Sequence, residues 1–146
     1  MPVNLKDALD EICRRYGLTE LYAFGSRATE IAERVRRTPG EPADGGSASD
    51  VDVGARPLVG VRLDVDAVVG LADELEQLFE APRVDVVVLP GAKTVLALDV
   101  IRGELLYCAD SHAQAEYELY VLATAGDLAP YQRARQELAL ARYADR

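Results

Sequence analysis

What most limits how this chain can fold is a set of carboxylates inside apolar strands. The segment "SASDVDVGARP", residues 47–57, alternates Asp50 and Asp52 with Val51 and Val53. Side chains two apart on a strand share a face, so the valines point one way and both carboxylates the other. A second run, "RVDVVVL" (83–89), sets Asp85 among valines and reads as the most buried strand of the protein. Burying adjacent like charges costs free energy unless a positive group neutralises them. The fold must therefore bring these strands to a solvated rim or to a cation.

Around the two strands, helical and strand periodicities alternate. Residues 4–16, "NLKDALDEICRRY", place Leu5, Ala8, Leu9, Ile12 and Cys13 near helical spacing, with Asn4 as N-cap and Gly17 as the stop. "LTELYAF" (18–24) reads as a strand running into Gly25-Ser26, and "RATEIAERVRR" (27–37) as the helix that follows. Residues 38–49, "TPGEPADGGSAS", form a loop by their proline, glycine and serine content. After the strand at 50–56 comes an amphipathic helix over 64–80, its apolar side made of Val68, Leu71, Leu75 and Leu78. Strand 83–89 closes at Pro90-Gly91. A short helix (94–102), a strand (104–108) and two helices, 111–125 and 129–144, complete the chain. That order predicts an α/β (α+β) fold, a mixed sheet covered by helices and followed by C-terminal helices.

The charge balance narrows the partners. The 146 residues hold 16 Lys and Arg against 25 Asp and Glu, a formal net charge of −9. Loose binding to long nucleic acid relies on many Lys/Arg–phosphate contacts, so none is expected. A nucleotide needs only one metal and one or two arginines, and an acidic surface suits a basic protein partner. No apolar run approaches the ~18–20 residues of a membrane span, and "MPVNLKDALDEICRRYG" lacks a signal-peptide pattern. A cytoplasmic protein of one domain, without membrane association, is expected. Cys13 and Cys108 match no metal or disulfide spacing and read as reduced, partly buried thiols.

In "AFGSRA" a strand ends in Gly25-Ser26 and a helix begins, and the backbone N–H groups of such a helix start bind phosphate. Gly25 lets the backbone come close to a ligand, Ser26 offers a hydroxyl and Arg27 a cation, although a Gly-Ser turn also serves as a plain helix cap. Asp50 and Asp52 form a seat for Mg²⁺, which binds through one or two carboxylates plus substrate phosphates. An edge strand with a solvated face is the competing account. Asp85 either pairs with Arg83 on its own strand face or joins the other two aspartates. There it would complete a second metal site or take the proton from an attacking hydroxyl. Arg102 either reaches a triphosphate or pairs with a nearby acid. His112 reads as a surface or capping residue, and Tyr107, Tyr117 and Tyr120 as core or partner-facing. No Ser-His-Asp triad, Walker loop, zinc site or calcium loop is visible.

In order along the chain, "FGSRA", "SDVDVG" and "VDVVVL" resemble the minimal nucleotidyltransferase (MNT) family of the DNA polymerase β superfamily, with its G-S…D-x-D…D pattern. The resemblance covers residues 1–108, and "VIRGELLYCADSHAQAEYELYVLATAGDLAPY" looks like the tail of MNT antitoxins paired with HEPN ribonuclease toxins. It implies a polymerase β-like palm, with 1–108 as the nucleotidyltransferase core and 109–146 as a helical extension of the same domain. It further implies transfer of AMP from ATP, with Mg²⁺, to a tyrosine of the toxin, which silences it. Carried onto this chain, it makes Gly25 and Ser26, with Arg27 beside them, the nucleotide-contacting turn. Asp50 and Asp52 become the metal ligands and Asp85 the third catalytic carboxylate. The connection from Arg27 through Ser49 is longer than is usual in the family. Its 38–49 insertion enters directly at Asp50, as a lid, a partner contact or a tolerated surface loop. Two other functions fit the same residues: an antitoxin that neutralises its partner by contact alone, and a nucleotidyltransferase for a small hydroxylated metabolite or antibiotic.

Overall fold

The computed structural model describes residues 4–37 and 49–144, the side chains of 127–136 and 139–144 excepted. Helix α1 (Leu5–Arg15) begins where the Asn4 side chain accepts the Lys6 N–H at 2.9 Å. Gly17, at φ +68°, turns the chain out of it into β1 (Leu18–Phe24). Then follow α2 (Ala28–Arg36), β2 (Val51–Pro57), α3 (Val65–Phe79), β3 (Val84–Val88), α4 (Thr94–Ile101), β4 (Glu104–Cys108) and α5 (Ser111–Ala144). The strands form one mixed sheet in the order β3-β2-β1-β4. β1 runs antiparallel to β2 and β4, and β2 runs parallel to β3.

Strand alternation divides the protein into three layers. Leu21 and Ala23 of β1 and Val51, Val53 and Ala55 of β2 face α1, α2 and α3, where Leu9, Ile31, Leu71, Leu75 and Phe79 complete a dry core. Leu71, Leu75 and Phe79 are fully buried along one side of α3, each worth about 1.5–3 kcal/mol relative to exposure. On the opposite face, Tyr22 packs with Leu89, Ala97, Val100 and Val121 beneath α4 and α5. Gly54 permits this approach, because a Cβ there would stand 2.3 Å from Cγ1 of Val100.

Two expectations about the elements are corrected. β3 is not the most buried strand. It is an edge strand with only Val84 fully buried, whereas β1, flanked on both sides, is buried over six of its seven residues. The two terminal helices are one continuous helix, α5, which runs through Pro130. Residues 38–48 of the expected loop lie outside the described residues. Among the described residues, no helix is long and apolar enough to cross a membrane.

A polar network fastens α5 to the sheet. Arg56 makes a two-pronged ion pair with the fully buried Glu20, sits 4.6 Å over the Tyr117 ring and donates to the Ala113 carbonyl at 3.2 Å. The Tyr22 hydroxyl, also buried, donates to Glu118 and accepts from Gln114, both at 3.0 Å. Asp110 starts the helix by accepting the His112 and Ala113 N–H groups. His112 itself is exposed and pairs with Glu116, Tyr107 is buried and Tyr120 exposed. Cys13 is buried and Cys108 half-buried, both free thiols, and burial pushes the Cys13 thiol up to about 12.

Candidate active site

Sheet register assembles the aspartates. Asp52 pairs laterally with Phe24 at the end of β1 and with Asp85 on the parallel β3. Neighbouring strands lie about 4.8 Å apart, so Asp52 and Asp85 stand side by side on the α4/α5 face. Asp50 sits just before β2, exposed. The Asp52 carboxyl is held above the usual carboxylate range, first by burial, then by the charge of Asp85 and then by that of Asp50. Among the described residues, neither Asp50 nor Asp52 has a hydrogen-bond or ion-pair partner. Asp85 does: Arg83 holds its Oδ1 at 2.7 Å, on an exposed rim.

The Gly25-Ser26 turn closes over the same point. Gly25 adopts φ +78°, and a Cβ on it would lie 2.8 Å from Oδ2 of Asp52. The turn and the carboxylate are thus in contact, and only a glycine leaves room for both. Ser26 is exposed and does not cap α2. The N-cap is Arg27, which gives no side-chain capping bond. The first turn of α2 is tied by the Ala28 N–H to the Gly25 carbonyl at 3.3 Å and the Ile31 N–H to the Arg27 carbonyl at 3.0 Å.

Arg27, expected to offer its cation to a phosphate, has protein partners instead. Only 4% exposed, it grips Glu30 through Nε (2.7 Å) and Nη2 (3.2 Å) and reaches the Ser49 carbonyl through Nη1. Arg102 is exposed at the end of α4, next to Gly103, and has no acidic partner among the described residues. Gly103 itself lies against the backbone of Ala23 and Phe24. Sequence reasoning passed over Glu20, Tyr22 and Arg56, which occupy the same sheet face as Asp52. The available signal was a pair of opposite charges, one inside each of two adjacent apolar strands.

Among the described residues, no group of three or more His, Cys, Asp or Glu side chains is close enough to hold a metal by itself. The donor set nevertheless fits a hard divalent cation whose remaining ligands are phosphate oxygens. Among the described residues neither Asp50 nor Asp52 is paired with a cation, and the nearest charges acting on Asp52 are those of Asp85 and Asp50. Asp50 and Asp52 are the residues able to hold it.

A palm-like mixed sheet with a Gly-Ser turn abutting a D-x-D strand defines a nucleotidyltransferase-like fold. No protein-family model and no curated protein matches the chain. Solved structures do match in shape. A toxin–antitoxin with AMP-PNP matches at TM-score 0.66 and 20% identity, over 92% of this chain and 98% of that one. A tri-AMPylated Shewanella oneidensis HEPN toxin in complex with MNT antitoxin matches at 0.63 and 19%, over 93% and 96%. The toxin–antitoxin MntA-HepT matches at 0.63 and 19%, over 93% and 97%. The fold of this chain is the one found in these assemblies.

Proposed function

We propose that this chain is an MNT-type antitoxin that transfers AMP from ATP to a hydroxyl, a tyrosine in our reading, of a HEPN ribonuclease toxin and so silences it. The observation that carries the reading is the contact of the Gly25-Ser26 turn with Asp52, beside Asp85 and Asp50. A turn of the kind that binds phosphate and two carboxylates without an ion-pair partner among the described residues, Asp50 and Asp52, lie there together, with Asp85 beside them. The solved assemblies of the same fold, one with AMP-PNP and one with an AMPylated HEPN toxin, support the choice of nucleotide and partner.

The chemistry follows from the residues. Gly25 and Ser26 present backbone N–H groups and a hydroxyl to the triphosphate, with the helix dipole of α2 behind them. Asp50 and Asp52 would hold Mg²⁺, which when bound would supply neutralisation of the phosphate charge. Asp85, half-exposed and with Arg83 fixing one of its oxygens, orients the acceptor hydroxyl and takes its proton. The acceptor oxygen bonds to the α-phosphorus as the bond from that phosphorus to the bridging oxygen breaks, and pyrophosphate leaves in line.

The test is the intact mass of a HEPN protein after incubation with this chain, ATP and Mg²⁺. A gain of one or more AMP units, absent with Asp52→Asn, is expected; an unchanged mass despite a stable complex would overturn the reading. One observation favours the contact-only alternative: Arg83 already neutralises Asp85 without a metal. Under that alternative, Asp52→Asn still protects cells from the toxin.

A further inference from the structure

The residues around Asp50 are tied down on both sides. On one side, the Val51 N–H donates to the Arg83 carbonyl at 2.9 Å, fixing the start of β2 to the approach of β3. On the other, Arg27 donates through Nη1 to the Ser49 carbonyl. Arg27 directly follows the Gly25-Ser26 turn, so one side chain links the phosphate turn to the backbone that enters Asp50.

We propose that Arg27 is a positioning residue, its buried guanidinium held by Glu30 and in turn holding Ser49, so that Asp50 is presented beside Asp52. This inference rests on the nucleotidyl-transfer reading of the site. Burial favours it over a direct phosphate contact. Arg27 is 4% exposed, whereas Gly25 and Ser26 are exposed, so a ligand on the turn does not meet the guanidinium. The hydrogen bonding agrees. Three of the five N–H donors of an arginine are engaged, two of them in a fork on the Glu30 carboxylate. That fork sets the plane of the guanidinium and aims the third donor at the Ser49 carbonyl. Lysine would keep the charge but not the fork. The arrangement also answers a problem of chain length. Residues 27–49 separate the turn from the D-x-D pair, and the hydrogen bond from Arg27 to the Ser49 carbonyl joins the first of them to the last.

The experiment measures Mn²⁺ binding by electron paramagnetic resonance in the presence of α,β-methylene ATP, whose α–β linkage resists cleavage. Arg27→Lys is expected to weaken Mn²⁺ binding about 10–100-fold, as loss of a residue supporting a metal ligand does. Binding of the same analogue without metal should be unchanged. Glu30→Gln, which loosens the fork while keeping Arg27, should weaken Mn²⁺ binding in the same direction; it carries the test if Arg27→Lys lowers the thermal midpoint so far that the fold is lost. Hydrogen exchange over residues 49–51 should rise in both variants. Wild-type Mn²⁺ affinity in both variants would overturn the inference, as would loss of metal-free nucleotide binding in Arg27→Lys, the mark of a phosphate ligand. If the wild-type chain itself binds no Mn²⁺ with the analogue, the nucleotidyl-transfer reading falls and this inference with it.

Discussion

Replacing Gly25 by alanine separates backbone strain from a collision inside the site. Gly25 and Gly60 both adopt left-handed backbone, φ +78° and +87°, but a Cβ on Gly60 meets nothing within 4 Å. Forcing alanine into that region costs about 1–2 kcal/mol, so Gly60→Ala should lose that much and no more. Gly25→Ala incurs the same strain and also places its methyl 2.8 Å from Oδ2 of Asp52. A carboxylate tip can swing aside, and an off-rotamer side chain costs about 0.5–1.5 kcal/mol. The total for Gly25→Ala is then about 1.5–3.5 kcal/mol, the sum of the two contributions. In urea unfolding, the excess of Gly25→Ala over Gly60→Ala should vanish in an Asp52→Ala background, since the cycle isolates that one contact. AMP transfer should fall about 100-fold or more in Gly25→Ala, as misplacement of a reacting group by about 1 Å does. It should be untouched in Gly60→Ala. An excess that survives the removal of Asp52, or full transfer by Gly25→Ala, would refute the reasoning.

Asp52→Asn should stabilise the protein at neutral pH while abolishing transfer. The Asp52 carboxyl lies above its ordinary value of 3.8 in the folded chain, so the native state binds the proton more tightly than the unfolded one. That contribution is fully present below the unfolded value and is lost as pH rises through the folded one. The advantage of asparagine should therefore be seen in the thermal midpoint at pH 7 and fade as pH falls below the carboxylate range; an Asn variant that melts below wild type at pH 7 contradicts this. Arg56→Ala strands the fully buried Glu20 and removes the stacking on Tyr117. It should cost about 3–5 kcal/mol in urea unfolding, and a loss below about 1 kcal/mol would mean that the pair behaves as an exposed one.

The sequence was most informative where a property depends on near neighbours. β1 and β4 begin and end at the expected residues, bounded by Gly17, Gly25 and Gly103, and the alternation of Asp52 with Val51 and Val53 appears as opposite faces of β2. Its limits lie where a property depends on the sheet as a whole. Four valines among five residues made β3 look interior, but its burial is decided by its place at the sheet edge, which hydropathy along one strand does not encode. Residues 126–128 fall between the two expected terminal helices, with Pro130 just beyond. Proline removes one helical hydrogen bond, yet the backbone continues through it here. That Asp52 and Asp85 share a row follows from parallel register, which spacing only suggests. The partners of Arg27 lay beyond prediction, because a long side chain chooses between a ligand and the protein by tertiary context alone.

The row formed by Phe24, Asp52 and Asp85 also bears on how the chain avoids misfolding. Side chains alternate with a period of two, so a slip of β2 by one residue would drive Asp52 and Arg56 into the dry layer against Leu71 and Phe79. The same slip would turn Val51, Val53 and Ala55 outward. A strand of valines alone would tolerate either register, because both of its faces look the same to the core. The aspartates remove that degeneracy. Groups suited to handling a phosphate therefore also proofread strand pairing during folding, and a variant with its aspartates made apolar risks a slipped sheet before any loss of chemistry is measured.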